Sequence, residues 1–281
     1  MEQYYLVKVT GKKWADKFQE GQVFMKALQC FGDLSKRDDS SQNTFRGDSL
    51  EGFSESFSNN KNPYAWIETP FGRKEIIPNQ VGLIDVLLLR EKVFCLYSLE
   101  YKNKHEGFCV PDSEMKSFGD TAVIITNPFE FLRRYCRAII KKYDYRFWTA
   151  GKRVSYDVDF ENRKYFDEFH KAPSYSWQNE FRIVLDLALG KFSRETLQEV
   201  TDYARNSFPG KIVEDMNPDS IADTLVIDVG DIHDISIAIP ISDFISDHIN
   251  EIVLQPPKPF EELNPPRKQY PTFFKLCATC N

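Results

Sequence analysis

From Tyr4 to Thr10 apolar and polar residues alternate loosely, the period of a half-buried strand. Trp14 to Glu20, closed by Gly21, reads as a short helix with a glycine stop, and the apolar stretch Val23–Cys30 reads as a second strand. Val81–Leu89 and Lys92–Ser98 are candidate buried strands, and Ala122–Thr126 is another. Pro128 then opens a helix to about Lys142, with Phe131, Leu132, Tyr135, Cys136 and Ile139 on one face. Arg153–Phe160 alternates as a strand. In Phe181–Leu187 one parity holds Phe181, Ile183 and Leu185, and Val184 adds to the other, the pattern of an interior strand. Arg194–Asn206 reads as an exposed amphipathic helix. Thr224–Val229 and Ile235–Ile239 are strands flanking the turn signal Gly230-Asp231, and Ser242–Ile249 reads as a helix.

Residues 35–62 are polar, rich in Ser, Asn, Asp and Gly, and read as a long loop. From Pro256 on, Pro257, Pro259, Pro265 and Pro266 interrupt a stretch with few apolar anchors. The expected organisation is one α+β domain over residues 1–255, a mixed or antiparallel sheet core with flanking helices, followed by a Pro-rich tail over 256–281. About nine strands and three or four helices, segregated rather than alternating, carry that class.

Composition narrows the functional classes. Aromatic residues are 14% of the chain, which suits a sheet with bulky core fillers. The net charge is −6, so sequence-independent nucleic-acid binding, which needs Lys and Arg against phosphates, is disfavoured. Met1-Glu2-Gln3-Tyr4 has no basic stretch leading into an apolar one, and the longest apolar run falls far short of the roughly 20 residues that span a bilayer. A cytoplasmic protein with no membrane association is expected, its six cysteines reduced. Cys277 and Cys280 form a single CxxC with no second pair, so no metal site is expected.

The densest chemistry lies in Lys171-Ala172-Pro173-Ser174-Tyr175-Ser176-Trp177-Gln178-Asn179-Glu180-Phe181-Arg182. On a strand, residues two apart share a face, so Gln178, Glu180 and Arg182 would point one way. A carboxylate beside an amide suits a ribose, accepting from a hydroxyl and stabilising an oxocarbenium-like centre. The plainer reading is an edge strand with polar residues toward solvent and Glu180 paired with Arg182 or a neighbour.

The Gln178-Asn179-Glu180 segment resembles the Gln-x-Glu motif of ADP-ribosyltransferases of the clostridial C3-like kind. The chain also looks like a loose group of bacterial and phage proteins thought to share that fold, through Phe31-Gly32-Asp33, Cys95-Leu96-Tyr97-Ser98 and Tyr175 to Arg182. The resemblance implies an ADP-ribosyltransferase-like fold, with NAD as substrate and a role in bacterial–phage conflict. It implies Glu180 as the catalytic carboxylate and Gln178 orienting the acceptor. Lys8 or Arg46 would be the early basic residue, Ser98 the central-strand serine, and Tyr175 or Trp177 would stack on the nicotinamide. Ser98 is followed by Leu99-Glu100 rather than by a Thr-Ser pair, and Lys8 stands where Arg or His is usual. The same scaffold without catalysis would be a nucleotide sensor or a protein-binding module.

Other motifs are weaker. Phe45-Arg46-Gly47-Asp48-Ser49-Leu50-Glu51-Gly52 suits either an anion grip by Arg46 or a turn with a local ion pair. The four histidines are scattered. The run Arg133-Arg134-Tyr135-Cys136-Arg137 to Lys141-Lys142 reads as a solvated helix face.

Overall fold

The computed structural model describes residues 3–28, 30, 53–58, 65–69, 72–76, 80–85, 91–143, 147–156, 168–171, 173–187, 222–253, 255–258 and 275–279. In chain order the elements are β1 (Gln3–Thr10), α1 (Lys12–Gln19), β2 (Gln22–Ala27), β3 (Phe53–Ser58), β4 (Ala65–Thr69), β5 (Gly72–Ile76), β6 (Gln80–Asp85), β7 (Lys92–Asn103), β8 (Gly107–Phe108) and β9 (Thr121–Ile125). Then follow α2 (Pro128–Tyr143), β10 (Trp148–Arg153), β11 (Glu180–Asp186), β12 (Thr224–Asp228), β13 (Ser236–Pro240), α3 (Ile241–Phe244), α4 (Ile249–Ile252) and β14 (Lys275–Thr279). The class is α+β. A nine-stranded sheet runs β10-β11-β7-β1-β9-β13, with β2 and β8 also paired to β7 and β12 paired to β2. Every one of these strand pairings is antiparallel.

Register assigns the two faces. Leu6 lies opposite Ser98 and Ile125, and Phe181 opposite Leu96, so Tyr4, Leu6, Phe94, Leu96, Ser98, Val123, Ile125, Phe181 and Ile183 share one face. α1 and α2 cover that face with Phe18, Phe131, Tyr135 and Ile139, all buried. The other face carries Tyr5, Val7, Val9, Tyr97, Leu99, Ala122 and Ile124, packed under Phe108, Met115, Phe244 and Ile249. A sheet covered on both sides explains why β7 and β11 read as near-continuous apolar runs rather than alternating ones. β11 lies between β10 and β7, with Phe181 and Ile183 fully buried, as the sequence pattern implies.

α2 starts where its sequence says it should. Pro128 takes the first helical position, and Asn127 caps it by accepting from the Glu130 N–H at 3.1 Å. Gly21 is needed where the chain turns into β2. Its φ is +100°, and a Cβ there would sit 2.3 Å from the Gly230 carbonyl oxygen.

Several expectations are corrected. The strand expected at Arg153–Phe160 meets the described residues only in part: β10, Trp148–Arg153, pairs with β11 and ends at Arg153, Ser155 bridges His170, and residues 157–160 lie outside the described residues. The two strands expected on either side of Gly230-Asp231 are present as β12 and β13, but they pair with different partners, β2 and β9, and a 3₁₀ turn at His233–Ile235 redirects the chain between them. The polar 35–62 stretch contains β3, paired with β6. Within the Pro-rich 256–281 stretch the described residues include β14, which pairs with β6. The helix expected at 194–206 lies outside the described residues. Among the described residues, no helix is long and apolar enough to cross a membrane.

Candidate functional site

The Gln178–Glu180 segment sits where a 3₁₀ helix, Pro173–Gln178, feeds into β11. The hinge is Asn179, whose φ of +36° is the one positive φ of a non-glycine residue among those described. Asn tolerates this left-handed region better than most residues, and here its side chain also completes the ladder. The Ser98 N–H donates to the Asn179 carbonyl at 2.8 Å, and Asn179 Nδ2 donates to the Ser98 carbonyl at 2.6 Å, so the side-chain amide stands in for a strand N–H. Asn179 Oδ1 accepts from the Arg153 guanidinium at 2.7 Å.

Beyond this hinge Glu180 lies opposite Tyr97 and Arg182 opposite Cys95, on the sheet face away from α1 and α2. There Glu180 is bound from two sides. Arg182 Nε donates to Oε1 at 2.7 Å, and Lys171 Nζ lies 2.8 Å from Oε2. The same Lys171 Nζ donates to Gln178 Oε1 at 2.9 Å. The side chains are buried, with only 5% of that of Glu180 and 1% of that of Arg182 exposed. Two short segments close around them: the Ser155 N–H donates to the Phe169 carbonyl, the Lys171 N–H to the Ser155 carbonyl, and Arg182 Nη1 to the Glu168 carbonyl. The Glu180 N–H donates to the Tyr156 hydroxyl at 2.9 Å.

Electrostatics follow from this packing. Burial alone would raise the Glu180 carboxyl, but Arg182, Lys171 and a hydrogen bond from the Cys95 thiol reverse the sign and hold it well below the usual carboxylate range. Burial, and then the Glu180 charge, push the Cys95 thiol up to about 12, which keeps it protonated and a poor nucleophile. The same two causes raise the Tyr156 phenol. A permanently ionised, doubly paired carboxylate next to protonated neighbours is suited to holding structure together and unsuited to exchanging protons.

The residues expected to act together separate into two groups. Gln178 and Glu180 meet at Lys171, and the Tyr175 ring lies 5.4 Å from the same Nζ. Ser98 and Lys8 belong to the opposite face of the sheet. Lys8 Nζ donates to the Cys95 carbonyl at 2.9 Å and lies 4.6 Å from the Phe94 ring centroid. Ser98 is fully buried, and its Oγ has no hydrogen-bond partner among the described residues. Trp177 packs into the core beside Phe118, with ring centroids 5.9 Å apart. Arg46 lies outside the described residues. The single cleft expected to unite Ser98, a basic residue, Gln178 and Glu180 is therefore not formed by Ser98 and Lys8, because the pleat points their side chains away from Glu180.

Lys171 and Asn179 belong to the segment that the sequence singles out, though without a role of their own there, whereas Cys95 and Tyr156 enter the cluster through register and a chain reversal. A cavity of about 660 Å³ lies elsewhere, lined by Tyr5, Thr126, Pro128, Phe129, Val253 and Lys258, and none of the expected site residues borders it. Among the described residues, no group of three His, Cys, Asp or Glu side chains is placed to hold a metal ion. No protein-family model matches the chain, and neither a curated protein nor a solved structure does.

Proposed function

We propose that the protein is a non-catalytic, protein-binding module, in which the Lys171–Gln178–Glu180–Arg182 cluster clamps the fold from within. The observation that carries this reading is the state of Glu180: both of its oxygens are engaged by buried cations, and Ser98 faces the other way. A carboxylate that stabilises an oxocarbenium-like centre has to confront the ligand with its charge, and here that charge is neutralised before any ligand arrives. Incubation of the protein with labelled NAD and a bacterial lysate tests the reading. The module leaves NAD intact and transfers no label; label on any acceptor, lost in Glu180→Gln, overturns it.

A second reading keeps the NAD-dependent ADP-ribosyltransferase. Its support is the convergence of Gln178, Glu180 and Tyr175 on Lys171 Nζ, next to the left-handed Asn179, since backbone strain of this kind collects at functional sites. On that reading Glu180→Gln abolishes NAD cleavage and leaves the fold intact.

A further inference from the structure

The outer surface of the β2–β12 ribbon departs from the rule that the rest of the sheet obeys. Its inner residues, Val23, Met25, Leu225 and Ile227, are buried in the main core, as an amphipathic ribbon requires. Its outer residues should then be polar. At the centre, however, Phe24 stands directly across from Val226, and they are 37% and 44% exposed. α1 extends the apolar surface with Trp14, 49% exposed, its ring centroid 5.8 Å from that of Phe24. Three large apolar side chains in one exposed run mark an interaction surface.

The rim of this patch is positive. Lys17 Nζ lies 5.1 Å and Lys13 Nζ 6.0 Å from the Trp14 ring centroid, and Lys26 follows Phe24 two positions along β2. Among the described residues none of the three has an ion-pair partner, whereas other surface cations do: Lys12 pairs Asp16, Lys102 pairs Glu106, and Arg134 pairs both Glu130 and Asp234. The acidic residue of the ribbon, Asp228, sits at its far end and accepts from the Gly230 N–H. On a chain of net charge −6, unpaired lysines around an exposed aromatic face constitute a local inversion of sign.

The third feature is an edge. β12 pairs with β2, and among the described residues no strand pairs its other side. Such an edge presents N–H and C=O groups that another polypeptide strand can match.

From these three features we infer that the β12 edge and the Trp14–Phe24–Val226 face bind an acidic, extended protein segment whose apolar side chains cover the patch and whose carboxylates meet Lys13, Lys17 and Lys26. A nucleic acid fits less well, because it cannot extend a sheet and the acidic remainder of the chain repels it. The inference rests on the protein-binding reading above and names the surface and the class of partner.

The test uses the full chain and a fluorescent decapeptide alternating Glu with Phe or Ile. The controls are the same peptide with Lys for Glu and an oligothymidylate of equal charge, each followed by anisotropy at low and high salt. The acidic peptide binds, the lysine peptide does not, and salt weakens the binding. Lys13→Glu combined with Lys17→Glu, at an exposed and a half-buried site, weakens it by about tenfold or more, as does Phe24→Ser. Thermal melts of both variants show that the fold is kept, and the charge variant tests the idea alone if Phe24→Ser unfolds. The amides of β12 gain protection from hydrogen exchange when the peptide is bound. Absence of acidic-peptide binding, equal binding by the charge variant, or preferential binding of the oligonucleotide overturns the inference. NAD turnover is assayed on the same samples: loss of peptide binding without turnover removes this surface alone, and turnover removes the module reading itself.

Discussion

Two carboxylates in this molecule each bridge two cations, and they do so in opposite surroundings. On α2, Glu130 accepts from Arg133 at 2.5 Å and from Arg134 at 2.9 Å at a partly exposed surface site, and Arg134 reaches on to Asp234 and to the Asp231 carbonyl. In β11, Glu180 takes Arg182 and Lys171 at similar distances, but buried under the segments around Ser155 and Phe169. The geometry is alike and the consequences differ. Water screens the first network and would solvate any member left alone. Nothing solvates the second, so its members are held to one another by the cost of separating them.

This contrast is broken most strongly by removing one buried cation. Arg182→Met leaves Glu180 with Lys171 alone and is expected to lower the unfolding free energy by about 3–5 kcal/mol, measured by denaturant titration. Replacing the whole set, with Glu180→Leu, Lys171→Met and Arg182→Met together, is expected to recover much of that loss. At the hinge, Asn179→Ala removes both side-chain hydrogen bonds and puts a Cβ residue without a compensating amide at φ +36°, for a loss of about 1–3 kcal/mol. Asn179→Gly recovers the backbone part only.

The pH profile separates the buried cluster further. The Cys95 thiol is raised in the folded state, so its contribution is fully present below its ordinary value near 9 and is lost as pH climbs toward about 12. Cys95→Ala is expected to flatten that alkaline loss in a series of melts. Glu180 is shifted the other way, so its contribution is present above the usual carboxylate range and disappears as pH falls through and below it. The smallest effect belongs to α2. Glu130→Gln is expected to change the melting temperature only slightly, and the change shrinks further in high salt. An equally small effect for Arg182→Met would erase the distinction.

How far the sequence revealed this arrangement depends on whether a feature is local. β1, β9, α2 and β11 follow directly from apolar periodicity and from Pro128 as a helix start, because each is set by its own residues. That Phe181 and Ile183 lie inside the sheet was legible for the same reason. The pairing of Glu180 with Arg182 was legible as the plainer reading of a strand with both on one face; that the pair is buried was not, because burial comes from residues 155 and 168–171 closing over it. The separation of Ser98 from Glu180 was illegible too. It depends on Ser98 lying opposite Leu6 while Glu180 lies opposite Tyr97, and one step of register moves a side chain to the other face. The outward Phe24–Val226 pair needs the β2–β12 register, which joins residues some two hundred positions apart in the chain, on the order at which sequence periodicity carries no pairing information.

The unfolding free energy of Glu180→Gln tests the central claim most directly. The substitution keeps the shape of the side chain and removes its charge, leaving Arg182 and Lys171 buried without their counter-ion. An internal clamp predicts a loss of about 3–5 kcal/mol near neutral pH. A change of less than about 1 kcal/mol, the size expected where a polar side chain contributes little to packing, would contradict it and return Glu180 to the role of a carboxylate held ready for a ligand.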